Sequence, residues 1–256
     1  MKGLAGKKIL VTREQAQSQA LSRQIVLAGG IPVEVPLLTI HCDQRSEDKP
    51  IWNRLYSYKW LFFTSANGVD CFFKQLAAQT LSTEHFASAK IAVVGHKTEA
   101  ALKAYGVQAD FIPSHYNADT MANEFLRQHP RPGTVLLVRG NRSRDVLPVA
   151  FAKENIGFDS IEVYRTAFNT ALGSKLMDTL QQNDFNYLTF TSPSSVEAFV
   201  ELGGKPEAQT ASICCIGTTT SRKAEAYGFQ RILIPDQFTI EGMVEVMEQD
   251  AAGRKE

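Results

Sequence analysis

The sequence predicts an α/β protein of two similar doubly wound domains, flavodoxin-like with parallel sheets, joined by a two-stranded β connector. Two observations carry this expectation. Runs rich in β-branched and aromatic residues alternate with helix-like segments from end to end. The first half of the chain recurs in the second, and the recurring elements keep their order and neighbours.

The strand candidates of the first half are KKILVT, IPVEVPLLTI, WLFFTS, KIAVVG and ADFIPS. Those of the second are TVLLVRG, FDSIEVYRTAF, NYLTFTS, SICCIG and QRILIP. Aligning LFFTSANGVDCFF with LTFTSPSSVEAFV places Phe63 on Phe190, 127 residues apart, and Val11 falls on Val138 at the same spacing. Gly95 falls on Gly217, Gly106 on Gly228 and Ile112-Pro113 on Ile234-Pro235, each 122 residues apart. Helices follow the strands with apolar stripes at helical spacing: Val69, Phe72, Phe73 and Leu76 in one copy, Val196, Phe199 and Val200 in the other. Ser65 or Asn67, and Ser192 or Ser194, are natural N-caps. Gly29, Gly106 and Gly228 fall where helices should end in a left-handed residue. IPVEVPLLTI and FDSIEVYRTAF are long and β-rich, and Pro32 and Pro36 suit the first to an exposed position. Together these two could connect the domains.

Composition narrows the function. A chain of 256 residues with 44% hydrophobic and 21% charged residues can bury one large core or two smaller ones. Lys+Arg and Asp+Glu both number 27, which argues against a nucleic-acid binder reliant on broad positive charge. A local basic cleft in a neutral protein would point to a small anionic ligand. The opening residues have no long apolar core, and no window has the ~18 apolar residues of a membrane helix, so neither a signal peptide nor a membrane span is expected. Cys42, Cys71, Cys214 and Cys215 include no CxxC, and the five histidines form no HExxH. The expectation is a reduced, cytoplasmic protein without disulfides or zinc. No GxGxxG turn or P-loop follows KKILVTREQ, which weighs against a nucleotide-dependent transferase. A hinged two-lobed binding module shares the architecture, but its periplasmic forms would need the missing signal.

In order along the chain, VTR, FTSANGV, VGHKT with Gly106, RGNRSRDVL, VYRT, FTSPSSV and IGTTTSRKAEAYG resemble the uroporphyrinogen-III synthase family. Each piece recurs in many α/β proteins; the ordered set is specific and covers nearly the whole chain. The resemblance implies that one domain is formed by residues 1–36 plus 168–256 and the other by 41–163, with 37–40 and 164–167 as the connector. The repeat alone would have suggested a cut near residue 130. It also implies the substrate hydroxymethylbilane, a linear tetrapyrrole with eight carboxylates. Loss of the ring A hydroxyl gives an electrophilic azafulvene; ring D attacks through its substituted carbon, and the spiro intermediate fragments and recloses with ring D inverted. That chemistry needs no cofactor, metal or nucleotide. A monomer is expected, since nothing in the sequence requires assembly, and a transient contact with the upstream deaminase is allowed for.

The candidate site residues recur at strand ends leading into helices: Thr64, Ser65 and Asn67; Thr98 after Gly95; Ser192 and Ser194; Gly217 with Thr219 and Thr220. Ligands gather at the carboxyl ends of strands in open α/β sheets, and helix N-termini there offer free N–H groups to anions. The plain alternative is that these residues are helix caps and nothing more, although the two roles are compatible. Arg139 ends a strand in RGNRSRDVL, with Gly140 and Asn141 beside it, and Arg13 ends the equivalent strand. Arginine forks suit carboxylates, but these arginines could equally pair with neighbours such as Asp145. By the resemblance, Tyr164 of VYRT assists departure of the ring A hydroxyl as donor or acid; the alternative is a packing aromatic. Thr220 matches the family's threonine after IG, with the run 218–220 leaving the register open by one. Cys214 and Cys215 read as core.

Overall fold

The computed structural model describes residues 3–206 and 210–253. Its strands are β1 (Lys8–Val11), β2 (Ile31–Glu34), β3 (Leu38–His41), β4 (Trp60–Phe63), β5 (Lys90–Val93), β6 (Val135–Gly140), β7 (Phe158–Phe168), β8 (Tyr187–Phe190), β9 (Ser212–Cys215) and β10 (Ile232–Leu233). The α-helices are α1 (Gln15–Leu27), α2 (Lys49–Asn53), α3 (Ala66–Ala78), α4 (His96–Ala104), α5 (Ala118–Gln128), α6 (Val146–Lys153), α7 (Gly173–Gln182), α8 (Pro193–Glu201), α9 (Thr218–Ala226) and α10 (Ile240–Gly253). The chain divides into one unit of Met1–Thr39 with Ala167–Glu256 and another of Ile40–Thr166.

The first unit holds a sheet in the order β10-β9-β8-β1-β2. Read from the other edge this is the flavodoxin-like order, in which a crossover after the second strand starts the other half of the sheet. β1 pairs in parallel with β2 and β8, and β9 in parallel with β8 and β10. Its strands are apolar on both faces because helices cover both. Leu10, Leu188, Phe190 and Ile213 pack with Leu176, Val196 and Phe199 from α7 and α8. Ile9, Val11, Tyr187 and Cys214 face the other way, onto Leu21 and Ile25 of α1 and Met243 and Met247 of α10. The alternation along each strand is the period-two rule of a pleated sheet.

The second unit has the order β3-β7-β6-β4-β5. β4 pairs in parallel with β5 and β6, and β6 with β7. Phe63, Ile91, Val93 and Val138 pack with Val69, Phe72 and Leu76 of α3. Trp60, Phe62 and Leu137 turn to the opposite face, onto Met121 and Phe125 of α5 and Phe151 of α6. By the repeat, β6, β4 and β5 occupy the places that β1, β8 and β9 hold in the first unit. The two sequence repeats are therefore shared out: β1 and β2 of the first repeat join β8, β9 and β10 of the second in one sheet.

Several expectations need correction. IPVEVPLLTI is not one strand; it breaks around Pro36 into β2 and β3, which belong to different sheets. A proline lacks the N–H that a continuous ladder requires, and β2, with Pro32, lies at an edge where that loss is tolerated. ADFIPS contributes only an isolated bridge from Phe111 to Ala92, and QRILIP only the two residues of β10. The expected absence of disulfides is overturned: Cys42 and Cys71 are joined. Nothing in their spacing signals the bond. Cys42 follows β3 and Cys71 lies in the second turn of α3, and the fold brings their Cα atoms to 5.1 Å, within disulfide reach. Gln75, one turn further along α3, donates to the carbonyls of Asp43 and Val163 at 2.8 and 2.7 Å, fixing the same segment. Cys214 and Cys215 are fully buried, as core residues should be. Gly29, Gly106 and Gly228 take φ of 87°, 74° and 85°, the left-handed helix ends that the sequence predicts.

Candidate functional site

In the second unit the site is built where β4, β5, β6 and β7 end. β4 runs into Thr64 and Ser65, and Ser65 caps α3 by accepting from the Gly68 amide at 3.0 Å. Asn67 lies inside the first turn of α3, so of the two cap candidates the helix uses Ser65. The Ser65 hydroxyl is also 3.1 Å from the Tyr164 hydroxyl. One serine thus holds both the start of α3 and the tyrosine that the sequence singles out.

Tyr164 lies on β7 opposite Gly140, where the β6–β7 register shifts. Its ring lies flat against that glycine; a Cβ at position 140 would sit 2.2 Å from the ring. Asn141 stitches the turn to β7. Its amide donates to the Tyr164 carbonyl at 3.2 Å, and its side-chain oxygen accepts from the Thr166 amide at 2.9 Å. Ser143 adds an acceptor for the Gly140 amide at 3.1 Å. Gly140 and Asn141 therefore place Tyr164. Arg139 is held by its own loop: it donates to the carbonyls of Ser143 and Arg144 and pairs with Asp145 at 2.7 Å. The local ion pair that the sequence allowed for is present.

The first unit repeats the design. Ser192 caps α8, accepting from the Ser195 amide at 3.2 Å, while Ser195 returns a bond to the Ser192 carbonyl at 2.7 Å. Ser194 lies within the first turn. α9 starts after Gly217, and α4 starts after Gly95 at the matching place. Thr98 and Thr220 occupy the third position of these two helices and are both 3% exposed. In the run 218–220, Thr218 and Thr219 are exposed and Thr220 turns inward. Arg13 follows β1 and is half-buried; burial lowers its pKa, and Glu14 opposes that shift. Thr12 and Thr189 brace the strand ends beside it, each hydroxyl donating across to a backbone carbonyl, Thr189 and Leu10 respectively, at 2.7 and 2.8 Å.

The sequence reading missed Ser143 and Thr166, whose contributions are backbone contacts with no side-chain signature. It also missed His96, Tyr116 and Phe238, discussed below. Among the described residues no group of three His, Cys, Asp or Glu is placed to hold a metal ion, and no helix is long and apolar enough to cross a membrane.

What this arrangement offers is hydroxyl groups, backbone amides at the starts of α3, α4, α8 and α9, and a positioned phenol. The fold is that of an α/β protein of two units, each with a parallel sheet. Comparison with known proteins makes the family specific. Residues 19–245 match the family described as uroporphyrinogen-III synthase HemD. The uroporphyrinogen-III synthase of Synechococcus elongatus is 28% identical over 258 residues, covering 96% of each chain. The porphyrin biosynthesis protein HemD of Ruminiclostridium josui is 28% identical over 98% of this chain, which spans 50% of that protein's length. A crystal structure of a mutant uroporphyrinogen III synthase from Thermus thermophilus shares the fold, with a TM-score of 0.67 at 16% identity, covering 97% of this chain and all of that one. The chain belongs to the uroporphyrinogen-III synthase family.

Proposed function

We infer that the protein converts hydroxymethylbilane into uroporphyrinogen III, losing water and inverting ring D, in tetrapyrrole biosynthesis. Membership of the family across residues 19–245 is the observation that carries this reading. The substrate's own electron-rich pyrrole expels the ring A hydroxyl, so the protein's main task is to fold a flexible chain and bring its ends together. Carboxylates of the substrate are received by the N–H groups at the starts of α3, α4, α8 and α9, with the hydroxyls of Thr64, Ser65, Ser192 and Thr219 and the side chains of Asn67, Ser194 and Arg13 alongside. Tyr164 donates to the departing hydroxyl. Ser65, with its hydroxyl 3.1 Å away, orients that phenol. Thr98 and Thr220, at the third positions of α4 and α9, help to hold the substrate beside these amides.

The connector segments 37–40 and 164–167 join the two domains, and the chain works as a cytoplasmic monomer. It takes its unstable substrate from the upstream deaminase in a transient contact. The test is to supply fresh hydroxymethylbilane and separate the products by chromatography. The expected product is isomer III; isomer I alone, the product of spontaneous closure, would refute the assignment.

A further inference from the structure

The repeat that relates Gly95 to Gly217 extends past the pairs Ile112-Pro113 and Ile234-Pro235 to Tyr116 and Phe238, again 122 residues apart. The next residues correspond as well. Asn117 caps α5, accepting from Thr120 at 2.8 Å, and Thr239 caps the start of α10, accepting from Gly242 at 3.0 Å. Both copies thus carry an aromatic residue immediately before a helix cap.

Each ring sits in the same place within its own unit. Tyr116 lies over Gly95, where an added Cβ would meet it at 2.9 Å; Phe238 lies over Gly217, with the corresponding distance 3.2 Å. These glycines begin α4 and α9 at the carboxyl ends of β5 and β9. Both rings are largely uncovered: Tyr116 is 57% and Phe238 56% exposed. An aromatic residue before a cap commonly acts as a staple, packing on the residue four positions into the helix. The corresponding residues, Met121 and Met243, are fully buried, whereas the rings themselves remain more than half exposed, so stapling does not account for these faces.

The chemistry that the two copies share is the ring, not the hydroxyl. The Tyr116 hydroxyl lies 2.5 Å from His96 Nε2, and His96 Nδ1 faces Glu99 at 3.2 Å. The other copy has phenylalanine for the tyrosine and Thr218 for the histidine, so it can support no such chain. The polar contacts fix the angle of Tyr116; they are not the common function.

We propose that Tyr116 and Phe238 are stacking platforms, each offering its ring, within its own unit, to the face of a pyrrole while the amides below hold that pyrrole's carboxylates. This deepens, and rests on, the synthase reading. Pyrroles are flat and electron-rich, and offset or edge-on packing against an aromatic side chain adds to the area it buries. An exposed aromatic at a strand's carboxyl end meets such a ligand where these sheets bind theirs.

The experiment compares Tyr116→Leu, Phe238→Leu and the double variant with Tyr116→Trp and Phe238→Trp. Leucine keeps an apolar residue before the cap but removes the π face; tryptophan keeps the face. Product affinity is measured by titration with uroporphyrinogen III under anaerobic conditions, and KM and kcat are measured separately. Each leucine is expected to weaken product binding and raise KM by roughly 3- to 10-fold, with kcat and melting temperature nearly unchanged. The double variant should lose roughly the product of the two factors, and the tryptophan variants should bind within about twofold of wild type. Wild-type affinity and KM in the double leucine variant, with isomer III still formed by the parent protein, would overturn the platforms and leave the synthase reading standing. A lowered melting temperature with unchanged affinity would do the same, assigning the rings to stapling. A parent protein that neither binds the product nor forms isomer III would remove the synthase reading and the platforms with it.

Discussion

Gly140→Ala is the substitution through which the structure most directly tests what Tyr164 does. The added methyl would lie 2.2, 2.4 and 2.7 Å from three carbons of the Tyr164 ring. Ordinary carbon contacts lie near ~3.5 Å or beyond, so the ring must retreat by about 1.3 Å. That displacement opens the 3.1 Å contact between the Tyr164 and Ser65 hydroxyls past hydrogen-bonding distance. Overpacking of this kind costs about 1–3 kcal/mol of stability. A reacting group misplaced by about 1 Å costs turnover on the order of 10²-fold. The assay is kcat for isomer III at saturating substrate, with urea unfolding alongside. Tyr164→Phe is the companion: it keeps the ring and removes the hydroxyl, so stability should fall by no more than about 1 kcal/mol. Its kcat should fall by roughly 10²–10⁴. If Gly140→Ala loses stability and still turns over at the wild-type rate, or Tyr164→Phe is fully active, Tyr164 is only a packing residue. The chemistry then rests on pocket shape and backbone amides.

Three further outcomes follow from the same structure. Phe125 is fully buried between Trp60, Phe62 and Phe111, at centroid distances of 4.8, 4.7 and 5.4 Å. Phe125→Ala should cost about 3–5 kcal/mol in urea unfolding, and a loss under about 1 kcal/mol would contradict the packing described. Burial, with Glu225 adding to it, pushes the Cys215 thiol up to about 12, and burial followed by Cys215 and Asp250 raises Cys214 as well. The folded protein keeps these protons above the ordinary thiol value of ~8.5 while the unfolded chain loses them, so stability should fall as pH rises beyond that point, by up to about 1.4 kcal/mol per pH unit for each thiol. Unfolding curves at pH values either side of that threshold check this, and a Cys214→Ala, Cys215→Ala variant should lose the dependence; an identical slope in both proteins would contradict it. Finally, protein dialysed against a strong chelator should retain full activity, because in the proposed reaction the substrate's own pyrrole expels the ring A hydroxyl; activity restored only by added metal would overturn that.

Much of the fold was legible because it rests on local pattern. Strands such as Trp60–Phe63 and Tyr187–Phe190 are continuous apolar runs, as strands covered on both faces must be. The glycines at 29, 106 and 228 punctuate helix ends, and the spacings of 127 and 122 residues mark the duplication. What the repeat hides is pairing. β1 joins β8 in parallel although Leu10 and Leu188 lie far apart in sequence, and periodicity carries no information about which strands share a sheet. The Cys42–Cys71 bond was invisible for the same reason, being a consequence of tertiary proximity. At the site, the caps Ser65 and Ser192 were readable because their chemistry is local. For Arg139 the sequence offered Asp145 as a partner without deciding it, since the pair depends on how the intervening turn closes. The inward turn of Thr220 depends on helix phase, which three successive threonines cannot reveal.

The central claim is that ring D is turned over during closure, and a bond-labelling measurement tests it most directly. Hydroxymethylbilane is prepared with carbon-13 at the bridge between rings C and D and at the ring D carbon bonded to it. Inversion through the spiro intermediate breaks that bond and rejoins the bridge to the other α-carbon of ring D. The account predicts that the one-bond coupling between the two labels disappears as the protein turns over. A product that retains the coupling, with the labels still adjacent, would mean direct closure to isomer I and would contradict it.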